Sequence, residues 1–186
     1  MATVLLTKKL AIMKFLGLLL LAMSLSFGIS ACENDNNDDK KVSIEVLKAF
    51  EQRFPQALQV DWDIEGKYCV AEFKGTIPDI PELQLEDVPQ GTMFNLEAWF
   101  DMGANWKMTI VDVPYKVLPK AVQAGFTTSN YGAWKVEDAD VIQRNGLDNV
   151  YVIEVEQGNT ERYLYFNSKG ELLKEAKDNN DYREFL

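Results

Sequence analysis

Residues 94–113 read "FNLEAWFDMGANWKMTIVDV", and the spacing of their apolar side chains decides the fold. Phe94, Leu96, Ala98 and Phe100 alternate with Asn95, Glu97, Trp99 and Asp101. A period of two belongs to a strand, because successive side chains point to opposite sides of the sheet. Gly103 sits in a short polar break, after which "WKMTIVDV" (106–113) resumes a strand-forming run. Two such runs across a short turn predict an antiparallel hairpin.

Moving outward from this hairpin, the pattern continues in both directions. Upstream, Ser43 can cap a helix reaching about Phe54, with Ile44, Leu47, Phe50 and Phe54 near one face and Pro55 ending it. Val60, Trp62 and Ile64 then alternate with Asp61 and Asp63, and a Glu65-Gly66 turn leads to "KYCVAEF" (67–73). Downstream, Pro119 suits the first turn of a helix running to about Phe126. Strand-like runs follow at 133–142, 150–156, 162–167 and 171–176, separated by glycine-bearing turns at Gly146, Gly158 and Gly170. Aligning the halves pairs Phe50 with Phe126, Val60 with Val136, Tyr68 with Tyr151, and Phe100-Asp101 with Phe166-Asn167. The expected fold is α+β: two tandem repeats, each a helix packed on a three- to four-stranded antiparallel sheet.

One segment departs from this order. Residues 74–93, "KGTIPDIPELQLEDVPQGTM", carry prolines that forbid a regular strand or helix, yet Ile77, Ile80, Leu83, Leu85 and Val88 are too apolar for an inert loop. This insert is expected either to lie over a sheet face or to serve as a contact arm. The chain beyond Asp178 is polar, although Tyr182, Phe185 and Leu186 are apolar enough to dock.

The N-terminal region reads as an address. Lys8, Lys9 and Lys14 precede an apolar run at 15–27, too short for the ~20 residues that cross a bilayer. A basic start, a short apolar middle and small residues before a boundary predict a secretory signal at 1–31. Ile29-Ser30-Ala31-Cys32 resembles a bacterial lipobox, which implies cleavage after Ala31 and acylation of Cys32. The start codon can be Met1 or Met13. The alternatives are an uncleaved anchor or a buried free cysteine. Multiple acyl chains on Cys32 would hold the protein stably at a membrane, because each buried methylene contributes ~0.8 kcal/mol. "ENDNNDDKK" (33–41) has no apolar residue and predicts a solvated linker at 32–41. Its acidic run also resembles a signal for display on the outer leaflet. The expected location is therefore the outer membrane, as a lipoprotein on its periplasmic or cell-surface face.

Composition excludes much chemistry. Removing Lys8, Lys9 and Lys14 with no acid takes the net charge from −10 to −13, which disfavours nucleic acid and anionic lipid surfaces. Contact with a membrane is thus expected through the lipid anchor only. The chain has no histidine, so Ser-His-Asp and Cys-His nucleophiles and His-bearing zinc sites are impossible. Beyond Cys32 only Cys69 remains, which leaves no internal disulfide and no thiolate cluster. No catalytic, cofactor or metal motif is present. Asp61, Asp63, Asp101, Asp112, Asp138 and Asp140 have oxygen ligands suited to calcium, but none lies in an EF-hand pattern, and solvated charge is the simpler reading. A two-carboxylate glycosidase would draw on the same residues, with nothing to set their separation.

The ordered segments carry a family resemblance. "AFEQRFPQALQVDW" (49–62), "YCVAEF" (68–73), "EAWFD" (97–101) with Trp106, "YVIEVE" (151–156) and "LYFNSKGELLK" (164–174) resemble the PepSY-like, or β-lactamase-inhibitor-like, family. The likeness spans residues 42–174. It implies a tandem αβββ fold in exported, non-enzymatic proteins that bind or inhibit an exported or envelope protein through the open sheet face. The expected organisation is repeat 1 at 42–113, with its insert at 74–93, repeat 2 at 114–177 and a tail at 178–186.

Alternation assigns the faces. If Leu96, Ala98 and Phe100 meet the helix, Trp99 points away from it, and the same holds for Tyr163 and Tyr165 against Leu164 and Phe166. The candidate binding face is Trp99, Tyr163, Tyr165 and Phe73, with Val111, Val113, Val150 and Val152 beside them. Large aromatics suit recognition surfaces because they offer contact area at small entropic cost. The competing reading is that the insert or the other repeat covers these residues as a second core. A surface glycan or calcium binder using Trp99, Tyr163 and the aspartates is the alternative function.

Overall fold

A computed structural model describes residues 42–177 and 182–186. The signal, the Ala31-Cys32 junction and the linker at 32–41 lie outside the described residues, as do positions 178–181 of the tail. The chain runs α1 (Ile44–Arg53), β1 (Leu58–Glu65), β2 (Tyr68–Gly75), β3 (Phe94–Asp101), β4 (Trp106–Asp112), α2 (Lys120–Thr128), β5 (Lys135–Arg144), β6 (Leu147–Gln157), β7 (Thr160–Phe166) and β8 (Leu172–Ala176). Single 3₁₀ turns occupy Tyr115–Val117 and Tyr182–Phe185.

The expectation of two separate sheets of three to four strands is corrected. All eight described strands form one antiparallel sheet, in sequence order from β1 to β8. The reason is the pairing of β4 with β5, from Met108 opposite Arg144 to Asp112 opposite Asp140. That ladder satisfies backbone groups that two separate sheets would each have left on an edge, so among the described strands β1 and β8 are the edges.

Both helices lie on the same face. Ser43 caps α1 as expected, its hydroxyl accepting from the Val46 N–H at 3.3 Å. The buried stripe of α1 is Val46 and Phe50 rather than Ile44, which sits in the first turn and stays exposed. Phe50 meets Phe73 edge-on at 5.0 Å and Phe100 at 6.3 Å, while Val122 and Phe126 do the same work for α2. The 74–93 insert also packs here, resolving the question of which face it covers. Ile80 (2% exposed) and Leu83 (6%) join the helix-side core, and the Gln84 N–H donates to the Val117 carbonyl at 2.8 Å. Its prolines keep it irregular, and its apolar residues make it a third covering layer beside the helices.

Two hairpins share one geometry. The Asp101 N–H donates to the Asn105 carbonyl, and Asp101 Oδ1 accepts from the Gly103 and Asn105 N–H groups. The Asn167 N–H likewise donates to the Glu171 carbonyl, and Asn167 Oδ1 accepts from the Lys169 and Glu171 N–H groups. In the second hairpin Gly170 (φ +79°) presses against α2, where a methyl group would stand 2.0 Å from the Ala121 carbonyl oxygen. A methyl at Gly125 would meet the Gly170 carbonyl oxygen at 2.1 Å. These glycines set how closely α2 approaches the sheet. The Tyr68–Tyr151 correspondence does not hold, because Tyr68 packs on the helix-free side and Tyr151 in the helix-side core.

Two outcomes follow from this packing. Ile80→Ala is expected to lower unfolding free energy by ~2–4 kcal/mol in urea titration, as for a core residue and unlike a loop residue. Gly170→Ala is expected to cost ~1–3 kcal/mol or more by overpacking against α2, with melting temperature as the readout.

Candidate functional site: the helix-free sheet face

The alternation that buries Leu96, Ala98 and Phe100 under α1 sends Trp99 to the other side, as expected. There it joins Val70, Met108, Ile110, Ile142, Val150, Val152 and Tyr165 in a second apolar cluster, which neither α1 nor α2 covers. Tyr68 and Tyr163 flank this cluster, half-buried. Trp99 and Tyr165 stand four strands apart, about 19 Å across the sheet at the ~4.8 Å spacing between strands, and the register offsets them along the strands as well. They bracket a band across the sheet.

The structure therefore places Trp99, Tyr163 and Tyr165 on one face. Phe73 is a correction: it lies on the helix side, packed against Phe50 and Phe54, because it shares the parity of Cys69 and Ala71. Val111 and Val113 are likewise helix-side, whereas Val150 and Val152 lie on the open side as expected. The band is also less open than an empty platform, since Trp99 is 4% exposed and Tyr165 only 1%. Trp99 is wedged against Tyr68 at 5.8 Å, and its indole N–H donates to Glu97. Phe185 lies 5.5 Å from the Tyr165 ring, and Tyr182 and Leu186 pack against the same cluster. The docking expected of Tyr182, Phe185 and Leu186 is what covers this end of the face.

Carboxylates border the band. Asp112 stands directly opposite Asp140 across β4–β5, and Asp138 opposite Glu154 across β5–β6. Burial holds the Asp140 carboxyl up at about 8, against a hydrogen bond from the Tyr182 hydroxyl, with Asp138, Asp112 and Glu154 adding to the rise. Burial likewise raises Asp138, with Asp112 contributing, and raises Glu154, with Glu161 and Asp138 contributing. At the other end burial raises Glu97, the Trp99 bond opposes it, and Glu72 and Glu65 add to it. Asp140 is the residue that the expectation of solvated charge missed. Its partner Tyr182 is 42 positions away, so no local pattern marked it.

Beside this stripe, where β4 leaves the sheet and β5 enters, an open groove of about 510 Å³ is lined in part by Lys74, Phe94, Asn95, Asp112, Tyr115 and Asp138. Lys74 donates to Asn95 at 3.1 Å and Asn95 to Asp112 at 3.0 Å, so the groove wall is tied across β2, β3 and β4. Asp101 serves its own hairpin and pairs with Lys107 at 3.3 Å. Among the described residues no group of three or more Cys, Asp or Glu is placed to hold a metal ion, and no helix is long and apolar enough to cross a membrane.

A single antiparallel sheet with helices on one face and an aromatic, acid-bordered band on the other defines the class as α+β. Comparison with known proteins names the family. The beta-lactamase-inhibitor-like, PepSY-like family model matches residues 87–174. A BLIP-like protein from Bacteroides fragilis is similar at 30% identity over 76% of this chain and 91% of that one, with a TM-score of 0.61. A DUF2874 family protein from Bacteroides uniformis is similar at 25% identity over 73% and 88%, also with a TM-score of 0.61. A protein from Bacteroides eggerthii, named as periplasmic, shares the fold at 24% identity over 74% and 89%, TM-score 0.61. Among curated proteins nothing matches. The chain belongs to the beta-lactamase-inhibitor-like, PepSY-like family.

The raised carboxylates fix the direction of a pH effect. Between its ordinary value of 3.8 and about 8, Asp140 holds a proton in the native state that the unfolded chain releases. The native state binds more protons in that window, so stability falls as pH rises through it. Urea unfolding is expected to give a higher midpoint at pH 5 than at pH 8. Asp140→Asn keeps an acceptor for Tyr182 and is expected to remove at least ~1 kcal/mol of that difference, the worth of about one pKa unit.

Proposed function

We propose that this chain is a non-enzymatic protein-binding module of the cell envelope, lipid-anchored at Cys32, that engages an exported protein through the helix-free sheet face. The observation that carries the proposal is the composition of that face: a band from Trp99 to Tyr165, with Tyr163 at its margin, bordered by Asp112, Asp138, Asp140 and Glu154. Aromatic side chains beside a run of carboxylates suit a specific interface, the aromatics for affinity and the charge for approach and partner choice, while Lys174 and Arg144 lie at the end held by Tyr182–Leu186. The sign selects the partner. An acid-bordered face on a chain of net charge −10 favours a partner presenting basic groups around aromatic or aliphatic ones.

Family membership supports the binding reading, and the absence of histidine removes the commonest hydrolytic machinery. The matched hairpins at Asp101 and Asn167, with the recurring order of one helix and four strands, support the reading of two tandem repeats. The lipobox-like Ile29-Ser30-Ala31-Cys32 supports anchoring, with the outer membrane as the expected site.

Crosslinking and pull-down from native envelope test the interface. Tyr163→Ala combined with Asp138→Lys is expected to reduce capture at least tenfold while leaving the melting temperature within a few degrees. Unchanged capture refutes the assignment of the face. Mass spectrometry of the N-terminus is expected to find an acylated Cys32 as first residue; an unprocessed N-terminus removes the anchor.

A further inference from the structure

The segment Tyr182–Leu186 does more than fill space, because each of its anchors meets a specific group. The Tyr182 hydroxyl donates to Asp140, Glu184 pairs with Lys174, and Phe185 lies 5.5 Å from the Tyr165 ring centroid. The Arg144 guanidinium stands 5.7 Å from the Phe185 ring, on the side away from β8. Leu186 adds an aliphatic contact with the same cluster, and its N–H donates to the Arg183 carbonyl at 3.2 Å, which keeps the turn closed. These contacts come from β5, β7 and β8, so the segment reads a surface assembled from several strands. Its own backbone bonds are few, and Arg183 and Glu184 remain exposed. It is joined to β8 through the short polar stretch 177–181.

We propose that the helix-free face is a docking site for a short peptide segment carrying a tyrosine and a phenylalanine three residues apart, that Tyr182–Leu186 occupies it in cis, and that a partner segment of the same chemistry enters by displacing it. This rests on the reading of that face as the recognition surface. The tethered segment and a partner segment compete for one site. A segment tethered by a few residues acts at an effective concentration of ~1 mM. If the free segment binds with a Kd of ~100 μM, the tethered copy fills the site about nine-tenths of the time, and any competing ligand binds about tenfold more weakly. The small area held by five residues makes such an affinity reasonable, and a partner burying the whole band out to Trp99 would outcompete it. The arrangement keeps Tyr165, Ile142 and Val152 dry when no partner is present, which a bare apolar band would not.

The probe is a synthetic peptide of residues 178–186, DNNDYREFL, titrated by calorimetry into three proteins. These are the full chain, a chain ending at Lys177, and a full-length Tyr182→Ala/Phe185→Ala variant whose tail remains attached without its anchors. The peptide is expected to bind both altered proteins about tenfold more tightly than the full chain, and a peptide with Phe185→Ala is expected to lose that binding. Should the shortened chain fail to fold by circular dichroism, the double variant carries the test. No binding to the double variant at 1 mM peptide, or equal binding to it and to the full chain, overturns the proposal. Envelope capture separates the two readings. Capture abolished by Tyr163→Ala/Asp138→Lys but unchanged by the double variant removes the cis occupant and keeps the recognition face. Capture indifferent to both sets removes the face itself.

Discussion

Pairing of β4 with β5 is the constraint on which the molecule depends. Ile110 opposite Ile142 and Val111 opposite Val141 join the two halves by a ladder that is apolar on both faces. The same ladder sets Asp112 against Asp140, an arrangement of like charges that an antiparallel pair ordinarily avoids. The conflict is resolved locally. Asp140 stays protonated over a wide range, and a hydroxyl from another part of the chain bonds to it. The central strand pair thus supplies cohesion and, at its end, a polar group that the last described segment answers.

A sheet of this width has two faces to cover and few elements with which to cover them. Both helices and the 76–93 connection go to one side, where Phe50, Phe126, Ile80 and Leu83 close a continuous core. The other side has an apolar centre of its own, from Val70 and Trp99 through Ile142 to Tyr165, and among the described residues it receives the segment at Tyr182–Leu186. That inequality is the feature with functional content. Apolar surface on the helix side is committed to folding, while on the opposite side it is partly held by a small, tethered occupant and bordered by carboxylates. The raised carboxylates there owe their shifts mainly to burial and to one another, so the acidic margin is built by the packing of the sheet itself.

The period-two pattern located β3 at Phe94–Asp101 without error, and Ser43 and Pro119 marked both helix starts, because each is a local signal with a local cause. Trp99, Tyr163 and Tyr165 were assigned to the correct side by the same parity. Phe73 was not, since the parity of β2 had to be fixed through its pairing with β3, in which Phe73 faces Leu96. The contact of Tyr182 with Asp140 was invisible for a different reason: nothing at either position encodes a distance across 42 residues.

By itself, then, the sequence determined the strands, the helices, the family, and the chemistry that a chain without histidine is denied. These follow from spacing, capping and composition, which act over a few residues or over none. Only the tertiary structure decided that eight strands make one sheet, that the proline-rich connection belongs to the helix side, and that the aromatic face is already occupied at one end. Those outcomes depend on which distant backbone edges and apolar surfaces meet first and best, and a local pattern carries no record of that choice.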